Sequence, residues 1–186
     1  MIKKVLFVVS IIIGLGVSLA LIGAFIINQE NLEYKSVYPL INPDIIKKEN
    51  PNSVIIFISS TCPGTPKSAP KIKTNIDMLK KANINYYLVE NQLHNNDVDF
   101  KLDNFKSEYG FENEKIYLMD INKYPNNSGV FNIKRRYKDF MNDICAPCGD
   151  SLPLGPNLYV YFKEGEFVKY KYTRELKNED IAIYKD

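Results

Sequence analysis

Histidine and cysteine are scarce in this chain of 186 residues, with one of the first and three of the second. A Cys₃His zinc set would need Cys62, Cys145, Cys148 and the solitary His94 to meet in one place. That is the least economical reading of these residues, so no metal and no cofactor is expected. Net charge is scarce too. Taking Lys3 and Lys4 from the 24 basic residues leaves 22, against 22 acidic residues, from position 28 onward. A neutral domain argues against nucleic acid or anionic lipid as its partner. The chain also lacks internal repeats and low-complexity tracts, which leaves one ordinary domain with a substantial core as the expectation for its length.

What the N-terminus does have is a long apolar run. Residues 5–27 form 23 positions without a charge. At ~1.5 Å per residue they reach about 34 Å, enough for a ~30 Å hydrocarbon core. A cleavable signal peptide has a shorter apolar region with a small-x-small end. Ser18-Leu19-Ala20 offers such an end, but cutting there leaves seven apolar residues on the product. The expectation is an uncleaved transmembrane anchor over residues 1–27. Lys3 and Lys4 place the N-terminus in the cytoplasm by the positive-inside rule, with the rest of the chain outside the cell membrane.

The remainder divides into a polar tether, 28–52, and a domain, 53–186. Within the domain, residues 54–58 are a β-branched and aromatic run, the signature of a strand buried on both faces. Apolar positions at Ile72, Ile76 and Leu79 then mark one face of a helix. A second strand is expected over 84–89. Val98, Leu102, Phe105 and Tyr109 place a helix before the stop at Gly110. A third strand spans 116–119, and a basic helix covers 130–144. Residues 158–172 read as two strands joined by a glycine turn, and a final helix runs over 176–184. Strands alternating with helices imply an α/β fold with a mainly parallel sheet.

Cys62 sits where the buried strand passes into a helix. Unpaired N–H groups at a helix N-terminus favour negative charge, and so a reactive thiolate. This stretch, with Cys62-Pro63-Gly64-Thr65 followed by Ala69-Pro70, resembles the active site of thioredoxin-like proteins. There a strand leads into Cys-x-x-Cys, and Ala-Pro follows at this distance. Thr65 stands where the resolving cysteine belongs. Gly155-Pro156, a strand, Lys163-Glu164-Gly165-Glu166 and a last strand are similar to the ending of that fold, with Pro156 in the place of its cis-proline. The resemblance implies a central mixed sheet flanked by helices, with a helix–strand insertion near residues 98–119. It also implies that Thr61, Thr65, Gly155 and Pro156 line the substrate site beside Cys62, and that the substrates are protein or peptide thiols and disulfides. Thr61-Cys62-Pro63 is similar to a peroxiredoxin site as well, but the assisting arginine has no match, so thiol exchange is expected ahead of peroxidase activity.

Cys145-Ala146-Pro147-Cys148 is open to three readings. It is a disulfide of an oxidising compartment, half of the zinc set above, or a redox pair serving Cys62. The last gives a relay in which Cys145 or Cys148 resolves a Cys62 mixed disulfide that Thr65 cannot. An odd count of three also leaves one thiol free. The resulting expectation is a membrane-anchored, extracytoplasmic thiol–disulfide exchange protein. The likeness extends to small anchored proteins of Gram-positive bacteria that accompany secreted-peptide maturation. The competing class is a non-catalytic module that holds an extended peptide beside Pro156.

Overall fold

The central strand, β2 (Ser53–Ile58), is buried at every position. Its residues alternate between two clusters, as the pleat of a strand requires. Val54, Ile56 and Ile58 enter one, while Ile55 and Phe57 enter the other. A computed structural model describes residues 17–18, 36–91, 97–124, 135–146, 148–151 and 156–184. The anchor expected over 1–27 lies outside these residues apart from Val17 and Ser18, as do His94, Pro147 and Gly155. Among the described residues no helix is long and apolar enough to cross a membrane.

The elements follow as β1 (Leu40–Ile41), α1 (Pro43–Glu49), β2, α2 (Thr65–Lys81), β3 (Asn85–Glu90), α3 (Val98–Tyr109), β4 (Ile116–Met119), α4 (Arg135–Ile144), α5 (Cys148–Ser151), β5 (Leu158–Lys163), β6 (Glu166–Tyr172) and α6 (Asn178–Ile181), with a 3₁₀ turn over Ala182–Tyr184. The sheet has the order β1-β4-β3-β2-β5-β6. β1 through β4 pair in parallel, whereas β5 and β6 run antiparallel. The fold is α/β with a mixed sheet, and β4, which follows α3, lies between β1 and β3.

One face of the sheet carries α2 and α3 through Ile72, Ile76, Leu79, Leu102 and Phe105. The other carries α1 and α4 through Ile46, Tyr137, Phe140 and Met141. Phe57 meets both Tyr137 and Phe140 edge-on, with ring centroids 5.3 and 5.9 Å away. Each such fully buried apolar side chain contributes roughly 1.5–3 kcal/mol. α3 ends as the sequence implies, at Gly110 with φ 74°. The β5–β6 hairpin turns through Glu164 and Gly165, both at positive φ, the backbone that a two-residue hairpin turn requires.

Three boundaries differ from expectation. The tether is in the fold from Ser36 onward. Leu40 and Ile41 pair with Leu118 and Met119, Ile41 and Ile46 are fully buried, and Asn42 caps α1 by accepting from the Ile45 N–H at 3.2 Å. A two-residue strand carries too little pattern to be read locally. β3 extends to Glu90, because its ladder with β2 runs as far as Ile58↔Glu90. The last helix is one turn of α followed by 3₁₀. Of the helix expected over 130–144, residues 135–144 are described.

Candidate thiol site

Cys62 is half-buried and is a free thiol. It lies on the turn between the buried end of β2 and the start of α2, at the end of the sheet where the parallel strands finish. Gly64 precedes the helix, and a Cβ built there would lie 3.7 Å from Cys62 Sγ, so the sulfur rests over the helix entrance. The N–H groups of that entrance are largely occupied. Thr65 N–H donates to Cys62 O at 2.9 Å, and Lys67 and Ser68 N–H donate to Gly64 O at 3.1 and 3.2 Å. Pro66 has none to offer. The helix start therefore presents fewer unpaired donors than a helix N-terminus has in general.

Thr65, three residues after Cys62, is buried at 4% exposure. Its hydroxyl donates to Ser59 O at 2.5 Å. Thr65 is thus a structural fastener between strand end and helix, with no chemistry of its own to offer a disulfide. Thr61, Pro63 and Gly64 are exposed around Cys62, which leaves the approach to the thiol open on that side. Pro156 comes to the same end of the sheet, because the next residue, Asn157, donates its N–H to Phe57 O at 3.1 Å. Gly155 lies outside the described residues.

A residue that the sequence reading passed over completes this end. Glu90, 1% exposed, closes β3, and its Oε2 accepts the Ser60 N–H at 2.8 Å. Beside it, Asn91 is 2% exposed, and neither atom of its side-chain amide has a partner among the described residues. The available signal was a carboxylate at the end of an apolar strand, next to the position where β2 gives way to Cys62.

Cys145 and Cys148 form a disulfide with Cα atoms 5.4 Å apart, an ordinary separation for such a bond. Both sulfurs are thereby removed from the zinc set considered above. Cys148 belongs to the cluster under α4, and Cys145 packs against it. The helix that Cys62 introduces packs on the opposite face. The short helix α5 sits tightly on α4. Gly149 N–H donates to Asn142 Oδ1 at 2.8 Å, and a Cβ at Gly149 would collide with the Lys138 carbonyl. At the start of α4, burial alone lowers the Arg136 guanidinium to about 10, and its Nε–H donates to Tyr124 O at 2.8 Å. Among the described residues no group of three His, Cys, Asp or Glu is arranged to hold a metal ion.

No protein-family model and no curated protein matches the chain. Among solved structures, it is similar to a secreted Mycobacterium tuberculosis disulfide oxidoreductase homologous to E. coli DsbE. The likeness covers 70% of this chain and 77% of that one, at 12% sequence identity and a TM-score of 0.40.

Proposed function

We propose that the chain is a thioredoxin-like protein, anchored in the cell membrane by residues 5–27, that performs thiol–disulfide exchange outside the cell through Cys62. The observation that carries this reading is the state of the three sulfurs. Cys145 and Cys148 are paired, which leaves Cys62 as the free thiol on a partly open turn. In the first step the Cys62 thiolate attacks one sulfur of a substrate disulfide. A Cys62–substrate bond forms, the substrate S–S bond breaks, and the other substrate sulfur leaves as a thiolate.

Thr65 cannot complete the cycle. In the relay form of the proposal, the Cys145–Cys148 pair, opened by an external dithiol reductant, supplies the thiolate that attacks Cys62 Sγ. The substrate is released with its second sulfur as a thiolate, while an S–S bond joins Cys62 to the attacking cysteine. The other cysteine of the pair then attacks that cysteine's sulfur. The bond to Cys62 breaks, Cys62 leaves as a thiolate, and the pair closes again as the disulfide. The burial of Cys148 in the cluster under α4 favours a second reading of that pair, as a staple holding α5 to α4. Cys62 then holds its partner covalently until another thiol arrives.

The test uses the full chain and a disulfide-bonded peptide, with mixed disulfides detected under non-reducing conditions. Wild type should form a Cys62-linked species that Cys62→Ser does not. Equal exchange by both removes Cys62 from the chemistry and leaves the peptide-holding module. The Cys145→Ser, Cys148→Ser double variant should hold the Cys62-linked species longer than wild type if the relay operates, and for as long as wild type if the pair is a staple. Protease added to intact cells should remove the domain. A mature N-terminus beginning after Ala20 would replace the anchor with a cleaved signal.

A further inference from the structure

We propose that Glu90 is the positioning residue for Cys62, acting by gripping the peptide unit between Ser59 and Ser60. This rests on the exchange reading only in treating Cys62 as the reacting group. Along the parallel ladder of β2 and β3, Asn91 N–H donates to Ile58 O at 3.0 Å. The next rung of a regular parallel ladder would send the Ser60 N–H to the main-chain carbonyl of Asn91. The Glu90 carboxylate takes that N–H instead, at 2.8 Å. β2 can therefore leave the sheet one residue early without burying an unpaired donor.

The carbonyl of the same peptide unit, Ser59 O, is held from the other side by the Thr65 hydroxyl at 2.5 Å. Thr65 N–H in turn reaches back to Cys62 O at 2.9 Å. One peptide plane is thus fixed at both its polar atoms, by β3 on one side and α2 on the other. The residue whose sulfur reacts follows two positions later. A carboxylate that is 1% exposed is a costly group to keep where an apolar side chain would close the strand. Its use here is the acceptor it supplies, at a length that neither alanine nor aspartate reproduces.

The inference is tested with the full chain by the rate at which Cys62 reacts with 5,5′-dithiobis(2-nitrobenzoate), at one pH. Thiol attack on this aromatic disulfide releases one thionitrobenzoate and leaves the other on Cys62. Any accessible thiol does this, so the measurement survives failure of the proposed function, which would appear separately as no exchange with a peptide disulfide. Glu90→Gln keeps an acceptor of the same reach and should react within about threefold of wild type. Glu90→Asp keeps the charge but falls short of the Ser60 N–H, and it should react at least fivefold more slowly, as should Glu90→Ala. Circular dichroism at the assay temperature confirms that each variant is folded, and a folded variant's rate is insensitive to its global stability. If Glu90→Ala does not fold, the Gln and Asp variants decide. Equal rates in all variants, or an impaired Glu90→Gln beside an unimpaired Glu90→Asp, would overturn the proposal.

Discussion

Asn75 is the position where one truncation should cost the most for its size. It lies in the middle of α2, 3% exposed. Its Nδ2 donates to the Tyr159 hydroxyl at 2.7 Å and to Arg174 O at 3.1 Å, while its Oδ1 accepts the Leu176 N–H at 3.0 Å. One amide therefore ties the helix behind Cys62 to β5 and to the segment that follows β6. Asn75→Ala leaves the Tyr159 hydroxyl and the Leu176 N–H buried without partners, at roughly 1–3 kcal/mol each. The Arg174 carbonyl, partly open to water, adds about 0.5 kcal/mol. The sum expected is about 2.5–6.5 kcal/mol, against a total of about 5–15 kcal/mol for a domain of this kind.

Urea unfolding followed by circular dichroism measures it. With a slope of about 2 kcal/mol/M, the midpoint should fall by roughly 1.2–3.2 M at unchanged slope. Tyr159→Phe in the Asn75→Ala background removes one of the two orphans, so the pair should be less than additive by about 1 kcal/mol. A loss below about 1 kcal/mol for Asn75→Ala, or strict additivity with Tyr159→Phe, would refute the hub.

Gly149→Ala drives a methyl into the Lys138 carbonyl and should cost about 2 kcal/mol or more by thermal unfolding; a change within about 0.5 kcal/mol would show that α5 does not sit on α4 this way. Burial pushes the Tyr159 and Tyr86 hydroxyls up to about 12, opposed by the Asn75 hydrogen bond at Tyr159 and reinforced by Glu114 at Tyr86. Their contribution is fully present below pH 10 and is lost as pH rises from 10 to 12, so the urea midpoint should fall across that window and fall less in Tyr159→Phe. Burial alone would raise the Asp180 carboxyl, but Lys171 and the Lys177 N–H outweigh it and hold it below its ordinary value. That contribution is present above the unfolded value and is lost as pH falls through the folded one. Lys171→Met, which strands a 4%-exposed carboxylate, should cost about 1–3 kcal/mol near neutral pH and flatten the acid limb of the stability curve.

Much of the architecture was legible because its signals are local. The run at 54–58 was short enough to read as a strand buried on both faces, the 72–76–79 spacing fitted one face of a helix, and Gly110 and Glu164-Gly165 marked a stop and a turn through backbone preference. Periodicity and turn chemistry act over a few residues, so they survive in the sequence. Cys62 was visible for the same reason, since strand, cysteine and helix are neighbours in the chain.

The tertiary structure decided what depends on distance along the chain. Leu40-Ile41 became a strand because Leu118 and Met119 pair with it, some 78 residues on. Cys145 and Cys148 are paired as a disulfide in the folded chain, on the face of the sheet away from α2. Thr65 looked like an absence, a missing cysteine, and in the fold it is a fastener. Glu90 carried no motif at all. Its acceptor meets the Ser60 N–H only because β2 and β3 are in parallel register, and register comes from packing both faces of the sheet at once, a constraint that no short window of residues contains.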